Sequence, residues 1–364
     1  MLISQSNDII FLLGAGASAD AGIPTSENMI CRIEENLKEK DDWKRYDLLY
    51  NHVKSAIHYA AGLRGCFGQD INYNIETLVN TLYELERNEE HPLYPFIASW
   101  NFRFVGLAQP DFSEVKCFRR LILNDLKRWM CPDDSAAADY YKGFILLQQK
   151  LNFPLLIFSL NYDTCVECLA SKAEGKFQVE SGFSGYGPQH IWDWRRFSEK
   201  DQGPLSQIIL YKLHGSINWK RGESTKQLFS VAQMESVDVD NMELVFGRDF
   251  KLEAADPYLF YAYEFRRYTL LAKLIVVIGY GFDDTHINKM LSQGLQGDPN
   301  RKILIVQPAL DDAKTKRIKQ KLELGNSGDD RLIQCPKKAK ELLEDPNLFE
   351  FLRENIPGDT DLPF

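Results

Sequence analysis

The sequence predicts an α/β protein: a parallel sheet with helices on both faces, plus a large helical insertion after the first strand. Three observations carry this reading. Short apolar runs occur at 9–13, 155–160, 208–213, 274–279 and 303–306, each followed by a turn. Parallel strands are buried on both faces, so they read as unbroken apolar runs rather than alternating ones. Between the first run and the second, a segment of more than a hundred residues has mostly helical period, and a connection that long must be a domain of its own.

Taken in order, Ile9-Ile10-Phe11-Leu12-Leu13 leads into Gly14-Ala15-Gly16-Ala17-Ser18-Ala19-Asp20-Ala21-Gly22-Ile23-Pro24. Gly14 and Gly16 permit torsions and approaches that a Cβ blocks, so main-chain N–H groups there can face a pyrophosphate. Ala19 fills the third small position of the dinucleotide fingerprint G-x-G-x-x-G/A, a pattern that a ligand-free strand-turn-helix also satisfies. In the insertion, Leu37, Leu48, Leu49, Val53 and Ile57 form one apolar stripe. Leu78, Leu82 and Leu85 form a second, and Leu121, Ile122, Leu126 and Trp129 a third. Tyr94, Phe96, Trp100, Phe102 and Phe104 suit an interhelical core first, and a cover for the site or a subunit contact second. Residues 176–205 read as a loop or small subdomain, and 220–255 as turns with short β-like pieces. Helical patterns dominate after 308, broken at Gly325–Asp330, and 357–361 reads as a loose end. The expected division is a discontinuous Rossmann-like core at 1–26 and 152–310, a helical insertion at 27–151, and a mainly helical C-terminal segment at 311–364.

A formal charge of −9 argues against direct nucleic-acid binding, because phosphate neutralisation needs a basic surface. No apolar run reaches the ~18 residues of a membrane span, and the start lacks the pattern of a secretory signal. A cytoplasmic location is expected. Seven cysteines without framework spacing suit reduced thiols. Cys165-x-x-Cys168 is better read as small residues packing a helix than as half of a redox or zinc site.

The longer spelling G-A-G-x-S-x-x-A-G-I-P resembles the nucleotide-binding loop of the sirtuin superfamily. Two further signatures follow in that family's order: Ser159-Leu160-Asn161-Tyr162-Asp163 after one strand and Lys212-Leu213-His214-Gly215-Ser216 after the next. A fourth segment, ending in Gly279-Tyr280-Gly281-Phe282, again places a glycine-bearing turn after a strand. The resemblance implies NAD as the ligand, used as substrate, with no metal required.

Nicotinamide in NAD is already a cationic leaving group, so its release needs no acid, unlike ordinary glycoside hydrolysis. The protein must instead hold the nicotinamide twisted away, stabilise charge on the ribose and place a nucleophile. Asn161, at a strand end, can both donate and accept without adding a charge, which suits it to hold a water or a ribose hydroxyl; an Asx turn capping the next helix is the alternative. His214 can accept a proton near neutrality, and the matching sirtuin histidine acts over the ribose. Asp163 resembles the family aspartate near the carboxamide; binding that amide, orienting Asn161 and capping a helix all remain open. The resemblance further assigns phosphate contacts to Gly14, Ser18 and the N–H groups of Ala15, Gly16 and Ala17, with Gly22 and Ile23 completing the loop. Gly279, Tyr280 and Gly281 are placed on the adenosine side. Gln307 either touches the adenine or closes a turn. Asp283, Asp284 and His286 read as a helix opening rather than a metal group.

Three departures from the deacylase pattern stand out: no four-cysteine zinc module, Leu160 where glutamine is usual, and Thr25-Ser26 after Gly-Ile-Pro. If no acyl-lysine reaches the ribose carbon, water is the remaining acceptor and the products are ADP-ribose and nicotinamide. This is similar to the sirtuin-like NAD-depleting effectors of bacterial antiphage defence. That likeness implies gated activity, a homo-oligomer and a possible partner ATPase or helicase. The rival readings are an NAD-dependent protein deacylase and a non-catalytic NAD or ADP-ribose sensor. A dehydrogenase fits less well, because Glu34 and Glu35 fall on an expected helix rather than after a second strand.

Overall fold

The computed structural model describes residues 7–68, 71, 73–86, 102–109, 111–132, 134–169, 177–184, 189–198, 208–222, 225–232, 234–246, 256–325 and 330–357. The chain divides into two compact units, one of Met1–Ile23, Met130–Leu244 and Asp249–Phe364, the other of Pro24–Trp129 and Val245–Arg248.

The first unit carries strands β1 (Ile9–Leu13), β2 (Leu155–Ser159), β3 (Val179–Glu180), β4 (Phe183–Ser184), β5 (Gln189–Trp192) and β6 (Ile208–Lys212). It continues with β7 (Gly215–Arg221), β8 (Leu228–Val231), β9 (Met242–Leu244), β10 (Leu274–Ile278), β11 (Lys302–Val306) and β12 (Leu332–Cys335). A seven-stranded sheet runs in the order β12-β11-β10-β1-β2-β6-β3, every pairing parallel. The chain therefore moves outward from β1 to one side, then returns to lay β10, β11 and β12 on the other. The point of reversal lies between β1 and β10, and open α/β sheets bind ligands at the carboxyl ends of strands flanking such a point.

Both faces of this sheet are covered. Ile10 and Leu12 are in register with Leu156 and Phe158, and these four share a core cluster with Phe265 and Tyr268 of the helix Tyr258–Leu271. Side chains alternate along a strand, so Phe11 points to the opposite face. There its ring meets Phe144 of the helix Gly143–Leu151 edge-on at 5.3 Å. Every residue of β1, β2, β6 and β10 is buried, as expected of a doubly covered parallel sheet.

Each of the five apolar runs became a strand of this sheet. The two remaining strands are its edges and lack that signal. β3 has two residues, and β12 leaves Ile333 half-buried and Gln334 exposed. Within 176–255 the described residues form a second sheet, antiparallel, in the order β4-β5-β8-β7-β9. Apart from the seven-residue β7, these strands have two to four residues, too short to reveal a period, which is why much of this region reads as loop.

The second unit consists of helices, among them Ser26–Glu39, Asp47–Leu63, Ile75–Glu86 and Ser113–Trp129. Thr25 caps the first by accepting from Asn28 N–H. Trp43, Tyr46 and Tyr50 pack around Phe118. Leu37, Leu49, Val53, Leu78, Leu82, Ile122 and Leu126 are buried as their stripes predict, whereas Leu48 is exposed. Leu48 and Leu49 are consecutive, about 100° apart around a helix, and only one can face the core. Tyr94, Phe96 and Trp100 lie outside the described residues.

Candidate functional site

All the site elements described next belong to the first unit, at the carboxyl ends of β1, β2, β6 and β10. The loop after β1 lies directly against the loop after β10. Gly14 N–H donates to Ile278 O and Gly16 N–H to Gly279 O, both at 2.9 Å. A Cβ on Gly14 would sit 2.6 Å from Tyr280 Cα, and one on Gly16 2.9 Å from Gly279 Cα. Gly279 itself has φ +65°, and its Cβ would meet Ala17 N at 2.2 Å. These glycines thus serve backbone contact between two loops. The glycine signature alone directs the N–H groups of Gly16 and Ala17 at a phosphate. Here both are spent internally, on Gly279 O and Gly14 O, because the loop winds into a short 3-10 turn, Ala15–Ala17.

Ser18 is also not turned toward a ligand. It is fully buried and donates its proton to Asp163 Oδ2 at 2.7 Å. With that proton spent, its oxygen accepts from Asn161 Nδ2 at 3.2 Å and from the Tyr141 hydroxyl at 2.9 Å. Asp163 takes a second bond from Cys165 N–H at Oδ1. Ser18 thereby ties the glycine loop to the Asn161-Tyr162-Asp163 turn, and Asp163 orients Asn161 through it. The other end of the Asn161 amide differs. Its Oδ1 is buried and has no hydrogen-bond partner among the described residues, a costly arrangement in a ligand-free interior.

The turn is clamped from β6. Lys212 is buried, and its Nζ donates to the Asp163 carbonyl, lies 2.8 Å from Ser216 Oγ and pairs with Glu167 at 3.1 Å. Burial raises the Glu167 carboxyl, with Lys212 opposing. Burial, with help from Asp163, also pushes the Cys165 thiol far up, which removes it as a thiolate nucleophile.

His214 follows β6 as Asn161 follows β2. Ser159 is in register with Lys212, and Leu213 N–H still donates to Ser159 O at 2.9 Å beyond the strand ends. Asn161 and His214 each lie two residues past the Ser159–Lys212 pair, in the turns that follow these two neighbouring strands. His214 is buried, and its Nε2 lies 3.1 Å from Asp284 Oδ2. Asp284 caps the helix Thr285–Gly297, its Oδ1 accepting from His286 and Ile287 N–H. Burial alone would raise the Asp284 carboxyl. The His214 contact and the two amides outweigh it and hold the group below the usual carboxylate range.

Of the residues singled out from sequence, the structure brings together Gly14, Gly16, Ala17, Ser18, Asn161, Asp163, Gly279 and Tyr280, with His214 following the strand next to that of Asn161. Ala15 N–H finds no acceptor among the described residues. Gly22 closes a second 3-10 turn in left-handed conformation, and Ile23 is buried after it. Gly281 lies beside Asp283, which pairs with Lys321. Gln307 is one strand further out, its N–H donating to Cys335 O. Sequence reasoning missed Lys212 and the tie between Asp284 and His214. Lys212 stands inside the Lys-Leu-His-Gly-Ser signature, and a charged residue ending a wholly buried strand was the available signal.

Residues 155–325 match the SIR2-like domain. This SIR2-like segment covers just under half of the chain and includes Asn161, Asp163, Lys212, His214, Gly279 and Asp284; the Gly14–Ser18 loop precedes it. None of the curated proteins matches the sequence. Among solved structures, a Sir2 homolog in complex with NAD is 13% identical, with a TM-score of 0.41 over 96% of this chain and 90% of that one. A triple mutant of a Sir2 homologue with 2′-O-acetyl ADP ribose is 14% identical, with a TM-score of 0.42 over 97% and 94%. A Sir2 enzyme solved for its mechanism and regulation gives 12% and 0.44 over 97% and 94%.

Proposed function

We propose that the chain is an NAD+ glycohydrolase, cleaving NAD+ to ADP-ribose and nicotinamide. The observation that carries this reading is the placement of Asn161 and His214 after adjacent strands, each two residues past the Ser159–Lys212 pair, with a buried Asn161 Oδ1 that has no hydrogen-bond partner among the described residues. Such an atom fits a donor brought by the substrate or its nucleophile: a ribose hydroxyl or a water. Nicotinamide leaves as a neutral base, so the residues need only stabilise the ribose cation and orient its acceptor. Asn161 would hold the acceptor, its Nδ2 fixed by Ser18. His214 would take the proton released from water or a ribose hydroxyl. Asp163 supports Asn161 from behind, and the Gly14–Ser18 and Gly279–Gly281 loops would bound the dinucleotide.

Water as acceptor is favoured over acyl-lysine by the sequence departures at Leu160 and Thr25-Ser26 and by the single Cys-x-x-Cys pair. The proposed role is a cytoplasmic NAD-depleting effector of antiphage defence, held in check by homo-oligomeric assembly or by a partner ATPase or helicase. Incubation with NAD+ alone separates the readings. A hydrolase releases nicotinamide stoichiometrically with ADP-ribose; release that requires an acyl-lysine peptide identifies a deacylase, and tight binding without turnover a sensor.

A further inference from the structure

Asp284 does more than open a helix. Its Oδ1 satisfies the two cap amides, leaving Oδ2 to face His214 Nε2 at 3.1 Å. Its side chain is 14% exposed, so this second oxygen is largely withheld from water. The main chain of Asp284 is fixed as well. The Tyr280 hydroxyl accepts Asp284 N–H at 3.2 Å and lies 3.1 Å from Asp284 O and 3.0 Å from Asn288 Oδ1. Asn288 Nδ2 in turn holds Phe282 O at 2.7 Å. A helix cap needs one acceptor oxygen and tolerates Ser or Asn equally; nothing in capping calls for a buried second oxygen on an imidazole.

We propose that Asp284 is the positioning residue for His214, fixing the ring so that Nε2 carries the proton and Nδ1 the lone pair. An ionised carboxylate only accepts, so a neutral ring beside it must donate from Nε2. When Nδ1 takes a proton from a water or ribose hydroxyl, the positive charge forms against a carboxylate already in place. The inference rests on the reading of His214 as the base in NAD+ cleavage.

Two variants keep the cap and change only the outer contact. In Asp284→Asn, Oδ1 still caps while an amide N–H₂ faces Nε2, which reverses the tautomer and puts the proton on Nδ1. Asp284→Ser caps and offers nothing to the ring. The expected result is a native thermal midpoint within a few degrees, kcat for nicotinamide release reduced roughly 10²-fold or more, and KM changed far less. Nitrogen-15 NMR of histidine-labelled protein, with the His214 signal assigned by loss in His214→Ala, should show Nε2–H in the native chain and Nδ1–H in Asp284→Asn. Native kcat in a folded Asp284→Asn, or an unchanged His214 tautomer, overturns the proposal. A native chain that cleaves no NAD+ defeats the proposed function instead, and the tautomer comparison still decides whether Asp284 governs the ring.

Discussion

Asn161 shows at the scale of one residue what a binding site costs a folded protein. Its Nδ2 is anchored on Ser18 while its Oδ1 is buried without a partner among the described residues. An unsatisfied buried acceptor costs ~1–3 kcal/mol, so deleting the amide removes a penalty along with a bond. Asn161→Ala should therefore fall within about 1 kcal/mol of native stability, or above it, in urea denaturation. A loss of several kcal/mol would mark the amide as structural. Asp284 makes a different prediction. Its folded pKa is depressed, so its stabilisation is complete above the unfolded value of about 3.9 and is lost as pH falls through the lower folded value. The stability gap between native chain and Asp284→Asn should be widest near neutrality and close in acid; a gap independent of pH contradicts the assignment.

At the scale of the element, the site depends on two loops that touch through glycine. A side chain at Gly279 would need φ +65° and would overlap the backbone of Gly16 and Ala17. Gly279→Ala should cost about 3 kcal/mol or more, read as a lowered denaturation midpoint. A near-native midpoint would mean that the loops are not held together as described. This contact explains what was and was not legible in the sequence. The glycine signature announced a turn without room for side chains, but not whether a ligand or a second loop fills the space. In the structure the second loop fills it, and the Ser18 hydroxyl likewise turns inward. Asn161, Asp163 and His214 were legible because they stand in the Ser-Leu-Asn-Tyr-Asp and Lys-Leu-His-Gly-Ser signatures that close two largely apolar strands. The bond between His214 and Asp284 was not, because it joins positions 70 residues apart and Asp284 already had a sufficient local role as a cap.

At the scale of the whole molecule, the sheet order gathers the sequence signatures from four distant stretches onto one edge. β1, β2, β6 and β10 are spatial neighbours, so strand ends separated by scores of residues share a boundary. Continuous apolar runs made these central strands readable, and edge position hid β3 and β12. The antiparallel sheet of β4, β5, β7, β8 and β9 escaped because four of its strands have two to four residues and carry no periodic signal. The proposed assembly belongs to this scale too: light scattering on the isolated chain should give a mass above that of one protomer, and a monomer active at full rate would remove oligomerisation as the restraint. The central claim is most directly tested by quantifying nicotinamide and ADP-ribose after incubation with NAD+ and no acyl-peptide, for the native chain, Asn161→Ala and His214→Ala. The account predicts equimolar products from the native chain and none above background from either folded variant. Undiminished release by a folded Asn161→Ala or His214→Ala would contradict it.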